Sequence, residues 1–400
     1  MTDDMWDWHD ANGFTRIVNV SGTMTGLGAS VTGAAAREAT AAAMGRFVKM
    51  HELQAKASGV IARLTGGEAG LVTASASAGI SLSVAGCITG LDAARAEALP
   101  CAPGPKAGVV VQAGHLCHYG AAIDTAIALA GGVTRPIGTA TLCADHQLAA
   151  ALDETVAAAL YVVSHHVVHY GQVPFDRFVE IAHSKGVPVI VDAASEYDLT
   201  GFIAKGADLA IYSGHKFLSG PTSGIVAGRR DLVRAAYLQN IGIGRGMKVG
   251  KESIAGVIAA MESWMVRDAG AIRERERAAL ALWIEEVEGL PGIRAEIVPD
   301  PTQNPLERLE VNIDAAAAGA SAARFAAAFA EQDPVVIVRD HEVELGYFQL
   351  DPCNLLPGQA ELVAEALKQV LSNGHALADG PEADPRNAGV NGYLTWLATE

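Results

Sequence analysis

Residues 187 to 228 read Val187-Pro-Val-Ile-Val-Asp192, a short turn and helix, Ala207-Asp-Leu-Ala-Ile-Tyr212, Ser213-Gly-His-Lys216, and then Gly220-Pro-Thr-Ser-Gly-Ile-Val-Ala-Gly228. Apolar runs this short, without polar alternation, suit strands buried on both faces of a sheet. The first run ends on a carboxylate, and the second stops just before a lysine. Ligands of open α/β sheets gather at the carboxyl ends of the strands. The segment therefore predicts both a fold and a place for chemistry.

The same alternation extends upstream. Val109-Val-Val-Gln112 precedes a helical stretch, Ala121 to Ala130, and Leu160-Tyr-Val-Val163 precedes a helix over Phe175 to Ser184. Strand and helix in turn predict an α/β architecture with a mostly parallel sheet. From Ala269 the pattern changes to a long amphipathic helix, Ala271 to Glu288. Short elements follow at 293–298, 308–313, 321–330, 335–338, 347–350 and 359–371. That order predicts a smaller α+β domain. The expected division is an arm over 1–15, a large domain over 16–268, a small one over 269–375, and a tail over 376–400 whose aromatic end docks elsewhere.

The composition fits a large buried core, with half of the 400 residues hydrophobic and 18% charged. Lys and Arg number 29 against 45 Asp and Glu, a formal charge of −16. Such a surface opposes phosphate backbones, so no nucleic-acid partner is expected. Residues 69 to 91 carry no charge, but their six Ser or Thr and four Gly argue for buried structure and against a membrane span. The acidic start lacks a secretion signal. Five cysteines without a C-x-x-C pair suggest neither disulfides nor zinc. The expectation is a cytoplasmic chain that meets no membrane.

Lys216 is the residue on which the chemistry turns. A lysine at the end of a buried strand loses its charge readily, and a neutral amine can attack a carbonyl. Alone it could equally be a snorkelling loop lysine, and Asp192 a helix cap. Together they match pyridoxal phosphate, whose ring nitrogen needs a carboxylate to stay protonated. Thr73-Ala-Ser-Ala-Ser-Ala-Gly79, before a helix-compatible stretch, offers small residues and amides for a phosphate, although a plain N-cap explains it too. His165, His166 and His169, with His115 and His118, raise a metal site. No carboxylate lies at ligand spacing, and none is expected.

Asp192-Ala-Ala194, Ser213-Gly-His-Lys216 and Gly220-Pro-Thr-Ser-Gly224 resemble the aspartate aminotransferase superfamily of pyridoxal phosphate enzymes. Val18-Asn-Val-Ser-Gly-Thr23 and Gly244-Arg-Gly-Met-Lys-Val-Gly-Lys251 narrow the resemblance to the branch of selenocysteine synthase and D-glucosaminate-6-phosphate ammonia-lyase. It implies a large-plus-small domain fold, at least dimeric. Lys216 would carry the cofactor imine, Asp192 would face the pyridine nitrogen, and Ala194 would pack on one ring face. His115 would lie on the other, with His118 and Tyr119 as rivals. Ser77 and the amides of Ala78 and Gly79 would hold the phosphate, with Ser213 and His215. His166, or His165, would approach the ring hydroxyl. Arg245, Lys248 and Arg339 are the candidates for substrate anions, Arg339 through bidentate contact with a carboxylate. Cys353 stands where the branch carries an arginine.

The implied function is a pyridoxal 5'-phosphate lyase acting on an amino acid or amino sugar acid through an external aldimine and a carbanion, with ammonia released. Racemisation and transamination share the opening steps and remain alternatives. So does a catalytically silent cofactor-binding subunit, against which the retained Lys216 and Asp192 argue. Selenium transfer to a tRNA fits poorly with the acidic chain and with its start close to the Asn19 motif.

Overall fold

A computed structural model of the chain describes residues 5 to 398. The chain forms two compact units, one over Ser30–Arg267 and one built from the segment ending at Ala29 together with that starting at Asp268. Its first strand, β1 (Ile17–Val20), belongs to the second of these.

In the Ser30–Arg267 unit seven strands form one sheet: β2 (Ala69–Thr73), β3 (Gly108–Gln112), β4 (Val133–Ile137), β5 (Val156–Val162), β6 (Val189–Asp192), β7 (Leu209–Ser213) and β8 (Gly224–Gly228). The order is β2-β8-β7-β6-β5-β3-β4. Only β8 runs antiparallel to its neighbours, β2 and β7. Every position of β2, β3, β6, β7 and β8 is buried, which is why their sequences lack polar alternation. β2 and β4 are the edge strands, and β4 carries Pro136, a residue that sheets confine to their edges.

Successive side chains of a strand point to opposite faces. Val189, Val191, Ala210 and Tyr212 pack with helix α2 (Met50–Thr65) and with the helices Phe175–Ser184 and Lys251–Val266 through residues such as Ile61, Phe178 and Val257, while helix α1 (Ala34–Met44) packs on Lys251–Val266. Ile190, Leu209 and Ile211 pack with α3 (Ala76–Thr89) and α4 (Arg230–Leu238) on the other face. The uncharged stretch 69–91 is thus β2 and a helix buried almost all round. Gly86 makes that possible, since a Cβ there would lie 2.7 Å from the Ala236 nitrogen of α4. No helix among the described residues is long and apolar enough to cross a membrane.

The second unit holds a three-stranded antiparallel sheet of β9 (Ile293–Pro299), β10 (Glu307–Ile313) and β12 (Tyr347–Leu350) in the order β12-β10-β9. β11 (Val335–Val338) pairs in parallel with β1. Helices α5 (Ala269–Val287), α6 (Ala322–Ala330) and α7 (Gln359–Leu371) close a core of Trp283, Phe325, Phe329 and Phe348. The sequence assigns residues 16–29 to the large domain. The pairing of Ile17 with Val335 and Val20 with Val338 puts this strand in the other unit, because its partners lie some 300 residues away. The end of the chain forms a helix, Ala388–Thr395, whose Tyr393 and Leu394, with Trp396 beyond it, stay exposed.

Candidate active site

Asp192 ends β6 and Lys216 follows β7, its parallel neighbour, three residues past the strand. Asp192 is 7% exposed, and the Ala194 amide donates to its Oδ1 at 3.2 Å. Burial raises its pKa to about 6, against the opposing pull of Lys216 and of that amide. Burial lowers Lys216 in turn, with Asp192 and Glu196 holding it back. Both groups are therefore drawn toward neutrality by the same cause. The Lys216 ammonium donates to Ser195 Oγ at 2.5 Å.

The turn carrying Lys216 is held from several sides. Gly214 N–H donates to the Ser223 carbonyl at 2.9 Å, Ser219 N–H to that of Lys216 at 3.0 Å, and Gly33 N–H to that of Ser219 at 2.8 Å. Ser30 Oγ donates to the His215 carbonyl at 2.7 Å. A side chain at 214 would collide with Ser223 Oγ at 2.2 Å, so glycine is required before the lysine. Ser213 Oγ and His215 Nδ1 are 3.0 Å apart, and the same nitrogen lies 3.4 Å from the Ser223 carbonyl. Burial lowers the His215 pKa, opposed by that carbonyl. Both side chains thus serve the turn itself.

The head of α3 is capped by Ser75: its Oγ accepts from Ala78 N–H at 3.0 Å and its carbonyl from Gly79 N–H at 2.9 Å. The amides of Ala78 and Gly79, assigned to the phosphate from sequence, are already engaged. The first-turn amides of Ala76 and Ser77, which a helix cannot satisfy itself, and the Ser77 hydroxyl remain for an anion. Thr73 Oγ1 fixes the Ser75 carbonyl at 2.8 Å. Gly224 leaves the room, because a Cβ there would fall 2.2 Å from the Ser75 oxygen.

Among the three rivals for the ring face, Tyr119 bonds to the head of α3. Its phenol donates to Ser77 Oγ at 3.2 Å. Burial raises its pKa, the Ser77 bond opposes, and Asp192 adds to the rise. His115 is 2% exposed; its Nδ1 accepts from Val162 N–H at 3.2 Å and its ring meets Tyr161 edge-on at 4.5 Å. Burial, with His169 beside it, pushes its pKa down to about 4. His118 is exposed. His165 and His166 follow β5 with their rings 3.8 Å apart. No group of His, Cys, Asp or Glu among the described residues could hold a metal ion.

Arg245 and Lys248 are exposed on the loop after α4. In the second unit Arg339 is 6% exposed, its Nη2 stands 3.7 Å from Glu342, and its Nε has no hydrogen-bond partner among the described residues. Arg308 beside it is taken by Asp300 at 2.7 Å and Asp351 at 3.0 Å. Cys353 joins this network through its amide, which donates to Asp351 at 2.9 Å, and through its thiol, which also bonds Asp351.

Sequence reading missed Ser195, Glu196 and Ser75. Ser195 and Glu196 directly follow the Asp192-Ala-Ala motif, and the second hydroxyl position in Thr73-Ala-Ser75 is an N-cap signature. Taken together, the residues present fit pyridoxal phosphate. A buried carboxylate with a raised pKa can hold a ring N–H, a lysine drawn toward neutrality can bind an aldehyde carbon, and the glycine-cleared helix head can take a phosphate.

Residues 17–285 match the family model described as SelA: L-seryl-tRNA selenium transferase. The chain is 36% identical over 361 residues to a D-glucosaminate-6-phosphate ammonia lyase of Salmonella typhimurium (strain 14028s / SGSC 2262), covering 90% of this chain and 97% of the relative. It is 37% identical over 367 residues to a 5'-C-glycyluridine monooxygenase-decarboxylase of Streptomyces sp, covering 90% of each. A solved D-glucosaminate-6-phosphate ammonia-lyase superposes with a TM-score of 0.83 at 34% identity, over 92% of this chain and 99% of that one. Aspartate aminotransferase from Thermus thermophilus, at 13% identity and a TM-score of 0.55 over 94% and 95% of the two chains, shares the fold.

Proposed function

The chain belongs to the SelA family, and from that membership we propose a pyridoxal phosphate-dependent lyase that releases ammonia from an amino sugar acid. The observation that carries this reading is the pair formed by Lys216 and the buried Asp192 at the carboxyl ends of adjacent parallel strands. The likeness to an ammonia lyase over nearly the whole of both chains supports the reaction class.

Bound pyridoxal phosphate supplies an aldehyde carbon that captures amines and a ring that draws electrons from a breaking bond. Asp192 would hold a proton on the ring nitrogen. Lys216 would hold the aldehyde carbon and, as a neutral amine, would serve as the base toward the carbon bearing the substrate amine; its ammonium could give that proton to a leaving hydroxyl, and the water so released balances the one that hydrolysis consumes in freeing ammonia. The amides of Ala76 and Ser77 would hold the phosphate, beside the Ser77 hydroxyl that Tyr119 contacts. Arg245 and Lys248 offer exposed cations to an anionic substrate group, and Arg339 remains the candidate for a carboxylate. Five free cysteines suit a reducing cytoplasm, and the active form is a homodimer or larger homo-oligomer.

Mass spectrometry of products from D- and L-amino acids and amino sugar acids tests the reading. Ammonia and a keto acid from an amino sugar acid are expected, and conversion of none of them would overturn it. The 37% identity to a monooxygenase-decarboxylase supports a second reading on the same residues. Oxygen uptake with carbon dioxide release, in place of ammonia, would select it.

A further inference from the structure

Lys216 is not alone with its carboxylate. After β6 the chain continues beside β7: Ala193 N–H donates to the Ile211 carbonyl at 2.9 Å, and Ser213 N–H to that of Ala194 at 3.1 Å. Glu196 N–H then closes a turn on the Ala193 carbonyl at 3.0 Å. These three backbone bonds set Ser195 at the apex of that turn, level with the lysine, where its Oγ meets Nζ at 2.5 Å. Next along the two segments, the Tyr197 and Phe217 rings lie 3.9 Å apart.

We propose that Ser195 is a positioning residue for Lys216, a neutral resting point that receives the lysine amine whenever it is not bound to the cofactor. The consequence for turnover rests on the lyase reading above; the contact itself does not. The charged and titratable groups around the amine are Asp192 at the end of β6, Glu196 on the turn and His215 next to the lysine. An amine drawn to either carboxylate would stay protonated and unable to act as a base. A hydroxyl avoids this. It accepts from an ammonium, and after rotation about its C–O bond it donates to the lone pair of a neutral amine. Ser195 therefore holds the amine in both protonation states and adds no charge to the site.

The test compares the full chain with Ser195→Ala and Ser195→Thr. In the cofactor-free chain, the pH dependence of Lys216 acetylation by acetic anhydride, read on its peptide by mass spectrometry, reports the amine directly. The bond to the ammonium is charge-assisted and stronger than that to the neutral amine, so its loss in Ser195→Ala should move the midpoint down by about half a unit to one unit. Ser195→Thr, which keeps the hydroxyl, should restore it. In the loaded enzyme Ser195→Ala should keep its yellow colour and its KM within about twofold, while kcat falls about tenfold. An unmoved midpoint in Ser195→Ala, or a shift that Ser195→Thr fails to reverse, overturns the proposal. If the wild-type chain took up no cofactor, the lyase reading would fall and the acetylation midpoint would still decide the role of Ser195.

Discussion

Asp192 is the residue whose environment and role bear most directly on each other. In the cofactor-free chain its folded pKa of about 6 lies above the ordinary 3.8 because burial disfavours the carboxylate. Between those values the folded chain binds a proton that the unfolded chain lacks, so this site's contribution to stability falls as pH rises from about 4 to 6. Asp192→Asn has no proton to bind, and its melting temperature should lack that component of the pH slope. Equal slopes for the two proteins over this window would show that the carboxylate is not desolvated as described. The same variant should keep the cofactor and lose turnover by about 10²-fold or more, since an amide cannot hold the ring nitrogen protonated. At this scale Asp192 and Lys216 were legible in sequence because each ends a buried apolar run. Ser195 was not, and Tyr119 stood only as one of three rivals, since such hydroxyls gain meaning only from partners 21 and 42 positions away.

Among the elements, the head of α3 and strand β8 depend on each other. Gly224 permits the Ser75 backbone to approach the sheet, and Ser75 then consumes the amides of Ala78 and Gly79. Gly224→Ala would push a Cβ into the Ser75 carbonyl, an overpacking that costs about 1–3 kcal/mol. It should lower the melting temperature and weaken pyridoxal phosphate binding at least tenfold, measured by absorbance titration. Unchanged cofactor affinity would remove the helix head from the phosphate site. Sequence located this helix correctly but misassigned its donors, because Thr73, Ser75 and Ser77 are equivalent hydroxyl candidates until the cap geometry separates them. Helix and strand bounds were readable elsewhere for the same reason that the site is stable: Phe175–Ser184, Gly224–Gly228 and Gln359–Leu371 carry apolar patterns fixed by the core on which they pack.

For the whole molecule, the formal charge of −16 separates this chain's expected partners from those implied by its family's description. Filter binding should detect no tRNA affinity that weakens with salt, because few cations are available to displace counterions from a phosphate backbone. Tight, salt-dependent binding would restore selenium transfer as the reading. The α/β class was legible from alternating strands and helices, whereas the transfer of β1 to the second unit was not. Its pairing with β11 is a long-range parallel contact that no local pattern encodes. All of the chemistry described here passes through one amine, and reducing the purified protein with borohydride tests it most directly. Peptide mapping should find a pyridoxyl phosphate group on Lys216. A label on Lys205 or Lys248, or on no lysine at all, would contradict the account.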